Sequence, residues 1–177
     1  MTVLALDLGF RLGYAFVQAD KIPMSGSYPV GGSAEDLGVA GRSLDGIVRT
    51  LILKFRPTLI GYTTPWAGMN FDIEGMRPII GFGMVVEMIA DELKIPVREC
   101  NENSARGDVL DFVPKRREQI KAAVNRHCLR MGWPCKDEDA GDATIVGVSL
   151  LTIEEPQNAA SMTPLFQSAA AKKKRRK

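Results

Sequence analysis

The feature that most constrains the fold is the run Val3-Leu4-Ala5-Leu6, which ends in Asp7-Leu8-Gly9. Four apolar residues without alternation suit a short strand covered on both faces, so the chain is expected to wrap helices around a sheet. Asp7 then stands at the end of that strand, at the edge of the sheet. Gly9 and Gly13 frame a turn that returns the chain as a second strand over residues 14–17, and residues 25–29 can pair beside it. Asp before Gly is also an ordinary turn signal, so this stretch alone leaves Asp7 either a turn residue or a functional acid.

The covering layers follow in order. Gly31-Gly32-Ser33 leads into a helix over residues 35–54, with Leu37, Leu44, Ile47, Val48, Leu51 and Ile52 largely on one face. Phe55-Arg56-Pro57 breaks it, and residues 58–62 read as the next buried strand, ending in Thr63-Thr64-Pro65-Trp66. After a loop with Gly68, Asn70 and Gly75 comes an apolar, methionine-rich helix over residues 76–93, which tolerates Pro78 in its first turn. Pro96 precedes a short strand at residues 97–99, and residues 101–114 read as polar and irregular. A helix then opens on Lys115-Arg116-Arg117 and runs to about residue 131, burying Ile120, Ala123, Val124 and Leu129. Gly132-Trp133-Pro134 ends it, and a last helix runs from Asp137 through Leu151. The order β, β, β, α, β, α, β with helices after it predicts an α/β domain.

At 177 residues, 45% hydrophobic and 25% charged, the chain fits one domain with a substantial core. The first fifteen residues lack a basic start with a long apolar core, and no apolar run reaches about 18 residues, so neither export nor membrane spanning is expected. A cytoplasmic protein is the expectation. Cys100, Cys128 and Cys135 show no CxxC spacing and read as reduced thiols rather than a zinc site. His127 has no acid or nucleophile spaced to work with it and reads as structural.

The formal net charge of +2 hides a division. Without Lys172, Lys173, Lys174, Arg175, Arg176 and Lys177, 17 basic residues face 21 acidic ones and the body carries about −4. The domain, residues 1–153, is thus not a uniformly basic binder of nucleic acid, and residues 154–177 form a separate flexible tail. Six like charges attract phosphates and release counterions on contact; solubilisation, or a nuclear address, are the other readings of such a run.

Four acids stand in six residues at the start of the last helix: Asp137, Glu138, Asp139 and Asp142. The helix dipole favours one or two of them, and Asp137 can cap, but this does not account for all four. Asp139 and Asp142 are three apart and share a face of the first turn, where Ala140, Gly141 and Ala143 allow close approach. Two such carboxylates with a third from a strand end make an oxygen cage suited to Mg²⁺. Basic residues at the start of the preceding helix oppose its dipole and call for an anion, which phosphate would supply.

Together, LALDLGFRLGYA, LIGYTTPW, the basic helix start and the terminal DAGDA resemble the RuvC-type Holliday junction resolvases, phage and bacterial branches included. The resemblance covers residues 1–153 and implies a ribonuclease H-like fold, a mixed five-stranded sheet flanked by helices. It implies that Asp7, Asp139 and Asp142 bind two Mg²⁺ ions, or Mn²⁺ in their place, about 4 Å apart around the scissile phosphate. Arg106 and Arg117, eleven apart, match a pair of basic residues ahead of the catalytic helix and would neutralise the phosphate. Lys115, Arg116 and Lys121 would hold adjoining phosphates without reading sequence. Trp66 would stack on an unpaired base near the junction centre, or else pack under the following loop. The implied partner is four-way or branched DNA, bound by a homodimer through the apolar helix bearing Met84, Val85, Met88 and Ile89.

One position departs from the family. Where a glutamate is expected at the end of the central strand this chain has Thr63, whose hydroxyl brings no charge to a pair of dications. Asp72 or Glu74 can replace it only if the loop reaches. Otherwise Thr63 marks an inactivating replacement, or a natural protein that binds junctions without efficient cutting. Two readings follow: a metal-dependent, structure-selective endonuclease, and a non-catalytic junction-binding protein on the same fold. An actin-like ATPase shares the opening D-x-G, but the chain lacks a second glycine-rich phosphate loop and a second lobe.

Overall fold

In the computed structural model, which describes residues 1–64, 73–110 and 112–158, the first three strands are β1 (Thr2–Asp7), β2 (Arg11–Gln18) and β3 (Met24–Pro29). They are followed by α1 (Leu37–Phe55), β4 (Leu59–Thr64), α2 (Ile73–Leu93), β5 (Val97–Asn101), α3 (Glu102–Val109), α4 (Arg117–Met131) and α5 (Glu138–Glu154). The strands form one five-stranded sheet in the order β3-β2-β1-β4-β5. β1 is antiparallel to β2, and β2 to β3, while β1, β4 and β5 run parallel. The sheet is therefore mixed and five-stranded, as expected. No described helix is long and apolar enough to cross a membrane.

The unbroken apolar run of β1 is explained by burial on both faces. Val3 and Ala5 join a core with Val17, Leu59 and the inner residues of α5, while Leu4 and Leu6 join another with Leu44 and Val48 of α1 and Phe82, Val86 and Ile89 of α2. All four β1 residues are fully buried. α1 begins where the Asp36 side chain accepts from the Val39 N–H at 3.1 Å and ends at Arg56, whose left-handed backbone is followed by Pro57.

Residues 101–114 are not irregular throughout: they contain α3. Its polar sequence hides the helix, but the Asn101 side chain accepts from the Ser104 N–H at 3.1 Å, and Ala105 and Val109, four apart, bury against the α5 side. Ser149 of α5 donates to Asp108 at 2.7 Å and fixes α3 in place. α4 starts at Arg117, two residues later than expected, with Arg116 at the cap position and no side-chain capping bond, because arginine has no acceptor to offer.

α5 is buried at every position from Ala140 through Thr152, which is why it shows no polar face in the sequence. Asp137 caps it, accepting from the Ala140 N–H at 2.9 Å. Its first turn lies so close to β2 that a Cβ on Gly13 would stand 2.2 Å from the Asp139 carbonyl oxygen. Only glycine permits that contact.

Candidate metal centre

Because β1, β4 and β5 are parallel, their C-terminal ends meet at one edge of the sheet, the usual place for a site in an α/β fold. Side chains alternate between faces, so Asp7 follows Val3 and Ala5 onto the side covered by α5. Thr63 follows Leu59 onto the same side of β4, and Cys100 of β5, the register partner of Thr63, also lies in that core. α5 brings Asp142 down onto this edge. One carboxylate oxygen each from Asp7, Glu102 and Asp142 lies within 4.8 Å of the other two.

Hydrogen bonds organise the group. Thr63, 6% exposed, accepts from the Leu8 N–H at 3.0 Å and donates to Asp7 Oδ1 at 3.1 Å. Arg106 Nη2 donates to Asp142 Oδ1 at 2.9 Å and to Glu102. Arg106 is itself buried, and its Nε has no hydrogen-bond partner among the described residues. A single guanidinium thus contacts two of the three carboxyl groups.

The electrostatics follow from that surplus. Burial pushes the Asp7 carboxyl up to about 8, with Glu102 and Asp142 adding to the rise and the Thr63 bond opposing it. Glu102 is likewise raised, first by burial and then by Asp142, with Arg106 pulling the other way. Asp7 and Glu102 thus hold their protons to higher pH than ordinary carboxyl groups do.

Asp139 lies outside this group, although α5 places it in the same turn as Asp142. Its Oδ2 pairs with Arg11 Nε at 3.1 Å, and burial, then Asp137, raises its carboxyl. Arg11 also reaches Asp137 at 3.3 Å, and Ser27 donates to Asp137 at 2.7 Å. Burial would raise Asp137, but these bonds and the Ala140 N–H hold it below the usual carboxylate range.

Of the other expected residues, Arg106 enters the site, whereas Lys115, Arg116 and Arg117 are exposed at the uncapped start of α4. Lys121 pairs with Glu138 across a cavity of about 340 Å³ whose lining also includes Lys136 and Asp142. Trp66, Asp72 and the basic run 172–177 lie outside the described residues, as does the side chain of Glu74. His127 is buried against Trp133, with ring centroids 5.4 Å apart.

Sequence reasoning missed Glu102 and Arg11. Glu102 and Arg106 form an i,i+4 acid–base pair, but that signal has meaning only once the segment is known to be helical. Three carboxyl groups, Asp142 buried and Asp7 and Glu102 partly buried, set against one guanidinium leave a surplus of negative charge that fits a hard divalent cation held by oxygen.

No family model matches the sequence, and no curated protein is significantly similar to it. Solved structures are similar in fold. RuvC of Thermus thermophilus in complex with a Holliday junction substrate superposes with a TM-score of 0.67 at 14% identity, over 87% of this chain and 96% of that one. The yeast mitochondrial Holliday junction resolvase gives 0.53 at 13% identity, over 83% and 76%. The fowlpox virus resolvase, in complex with Holliday junction DNA, gives 0.51 at 10% identity, over 88% and 99%. The chain carries the ribonuclease H-like fold of RuvC and the other Holliday junction resolvases.

Proposed function

We propose that this chain is a structure-selective endonuclease that resolves four-way and branched DNA by metal-dependent phosphodiester hydrolysis. The observation that carries the reading is the convergence of Asp7 and Asp142, from opposite ends of the chain, at the open edge of three parallel strands. Asp7 and Asp142, with Asp139 beside them, would hold the metal. When bound there, two Mg²⁺ ions, or Mn²⁺, supply the Lewis acidity that activates water and stabilises the departing 3′ oxygen.

The protein's own groups do the rest. Asp142 is held in orientation by Arg106, and Asp7 by Thr63. Arg117 would meet the phosphate as it becomes pentacovalent, while Lys115, Arg116 and Lys121 grip adjoining phosphates next to the free N–H groups of α4. Trp66 would stack on an unpaired base, and the basic run 172–177 would add sequence-independent attraction.

A four-way junction is near two-fold symmetric, so two matched nicks call for two copies of the site. On α2, Ile80, Met84 and Met88 are 52%, 61% and 69% exposed and recur every four residues, a stripe suited to an isologous dimer. Val85 is only partly buried and Ile89 is core, so the two faces of the helix are divided between partner and sheet.

Thr63 favours a second reading, a junction-binding protein that does not cut. The test is cleavage of a labelled immobile junction in Mg²⁺ and in Mn²⁺ by the native chain and by Thr63→Glu, with gel-shift binding in parallel. Binding with nicking supports the nuclease. Binding without nicking by either protein supports the second reading, and no preference for the junction over duplex removes both.

A further inference from the structure

The expected ligand on β4 is absent, yet the site still holds three carboxyl groups. Thr63 does not replace the missing charge: its hydroxyl is neutral, its single proton goes to Asp7 and one of its lone pairs goes to the Leu8 N–H. The third carboxyl comes from the neighbouring strand. β5 pairs with β4 so that Cys100 stands beside Thr63, and Glu102, two residues on, begins α3 within reach of Asp7 and Asp142.

We propose that Glu102 supplies the carboxylate that β4 lacks, completing with Asp7 and Asp142 a divalent-cation site in which Thr63 only positions Asp7. The assignment rests on the nuclease reading of this site.

Three observations support it beyond the acids themselves. Glu102 is anchored: Asn101 caps α3, Ala105 and Val109 are fully buried, and Asp108 is tied to Ser149. Arg106, one turn along, is more than nine-tenths buried and aims into the group, contacting Glu102 and Asp142 while its Nε lacks a partner among the described residues. A lone guanidinium in that position is a partial counter-charge and leaves a deficit of the sign a dication corrects. Finally, Cys100 of β5 stands beside Thr63 and Glu102 follows directly on that strand, within reach of Asp7 and Asp142, so it can bring the charge that the hydroxyl on β4 does not.

The experiment is Mn²⁺ titration by calorimetry of the full chain as native protein, Glu102→Gln, Asp7→Asn, Thr63→Val, and Glu102→Gln combined with Thr63→Glu. Junction cleavage and thermal melts are recorded alongside. Glutamine keeps the size of Glu102 and an acceptor for Arg106, so the fold should persist. Glu102→Gln should weaken Mn²⁺ at least about tenfold, as Asp7→Asn does, since affinity follows the number of charged ligands. Thr63→Val should stay within about threefold of native, because a position that lends no ligand loses only its hold on Asp7. The combined variant should recover most of the lost affinity. Native-like Mn²⁺ binding by Glu102→Gln with loss in Asp7→Asn overturns the role of Glu102 and leaves the nuclease reading standing. Failure of the native chain to bind Mn²⁺ overturns both.

Discussion

Two glycines carry the contact between α5 and the sheet, and they predict unequal responses to the same added methyl group. At Gly13 the new Cβ would stand 2.2 Å from the backbone oxygen of Asp139 and 2.5 Å from its carbon. Backbone cannot rotate away, so reaching an ordinary 3.4 Å contact requires the first turn of α5 to retreat by about 1.2 Å. Overpacking of this kind costs about 3 kcal/mol, the upper end of the usual range, which for a chain this long lowers Tm by about 6–12 °C. At Gly61 the new Cβ would meet only Leu150 Cδ1, at 2.0 Å, with the next Leu150 atom at 3.5 Å. A rotamer change there costs about 1 kcal/mol, partly offset by the gain of replacing a strand glycine. Thermal melts of Gly13→Ala and Gly61→Ala should therefore separate by at least about 5 °C. Gly13→Ala should also lose about 100-fold in junction cleavage, because the displaced turn carries Asp139 and Asp142. Equal melting of the two variants, or native cleavage by Gly13→Ala, would refute this account of how α5 is seated.

Asp7 predicts a pH dependence. Its carboxyl rises from 3.8 to about 8 on folding, so between those values the folded chain binds a proton that the unfolded chain releases, and stability falls as pH rises. The full displacement corresponds to about 6 kcal/mol as an upper bound, which water entry and relaxation reduce. Urea melts in chelator should show Asp7→Asn more stable than native at pH 8 and free of this slope. Asp137→Ala removes the α5 cap and should destabilise by about 1 kcal/mol in the same assay. Cys135 is drawn down to about 7, chiefly by the Cys128 thiol 2.9 Å away, whereas burial pushes Cys100 up to about 11. Alkylation at pH 7.5 followed by peptide mapping should label Cys135 well ahead of Cys100. Deleting residues 172–177 should reduce the slope of log affinity against log salt by up to about 5, from six lost phosphate neutralisations, without changing the preference for junctions.

The parts of the fold legible in the sequence are those where one physical demand dominates. Val3 through Leu6 had to be buried on both faces, and the periodicity of α1 and the acids and small residues opening α5 each left a plain pattern. α3 was hidden because its stability comes from one cap and two buried residues rather than a long apolar face. Within the site, Asp7 and Asp142 could be paired from their elements alone, since a strand end and a helix start both point to a sheet edge. Asp139 shares a turn with Asp142, yet its partner Arg11 comes from β2, a contact set by the tertiary approach at Gly13. Glu102 was unreadable for a related reason: its place depends on the β4–β5 register and on α3 beginning directly at the strand's end. Thr63, in contrast, was visible as an anomaly, and the structure gives it work in its own terms, as the hydroxyl that holds Asp7.

The most direct measurement is single-turnover nicking of an end-labelled immobile four-way junction by the native chain and by Asp142→Asn, with and without Mg²⁺. The account predicts Mg²⁺-dependent, symmetrically placed nicks by the native chain, and binding without nicks by Asp142→Asn. Native chain that binds the junction and leaves it intact in both Mg²⁺ and Mn²⁺, or nicking that survives Asp142→Asn, would contradict it.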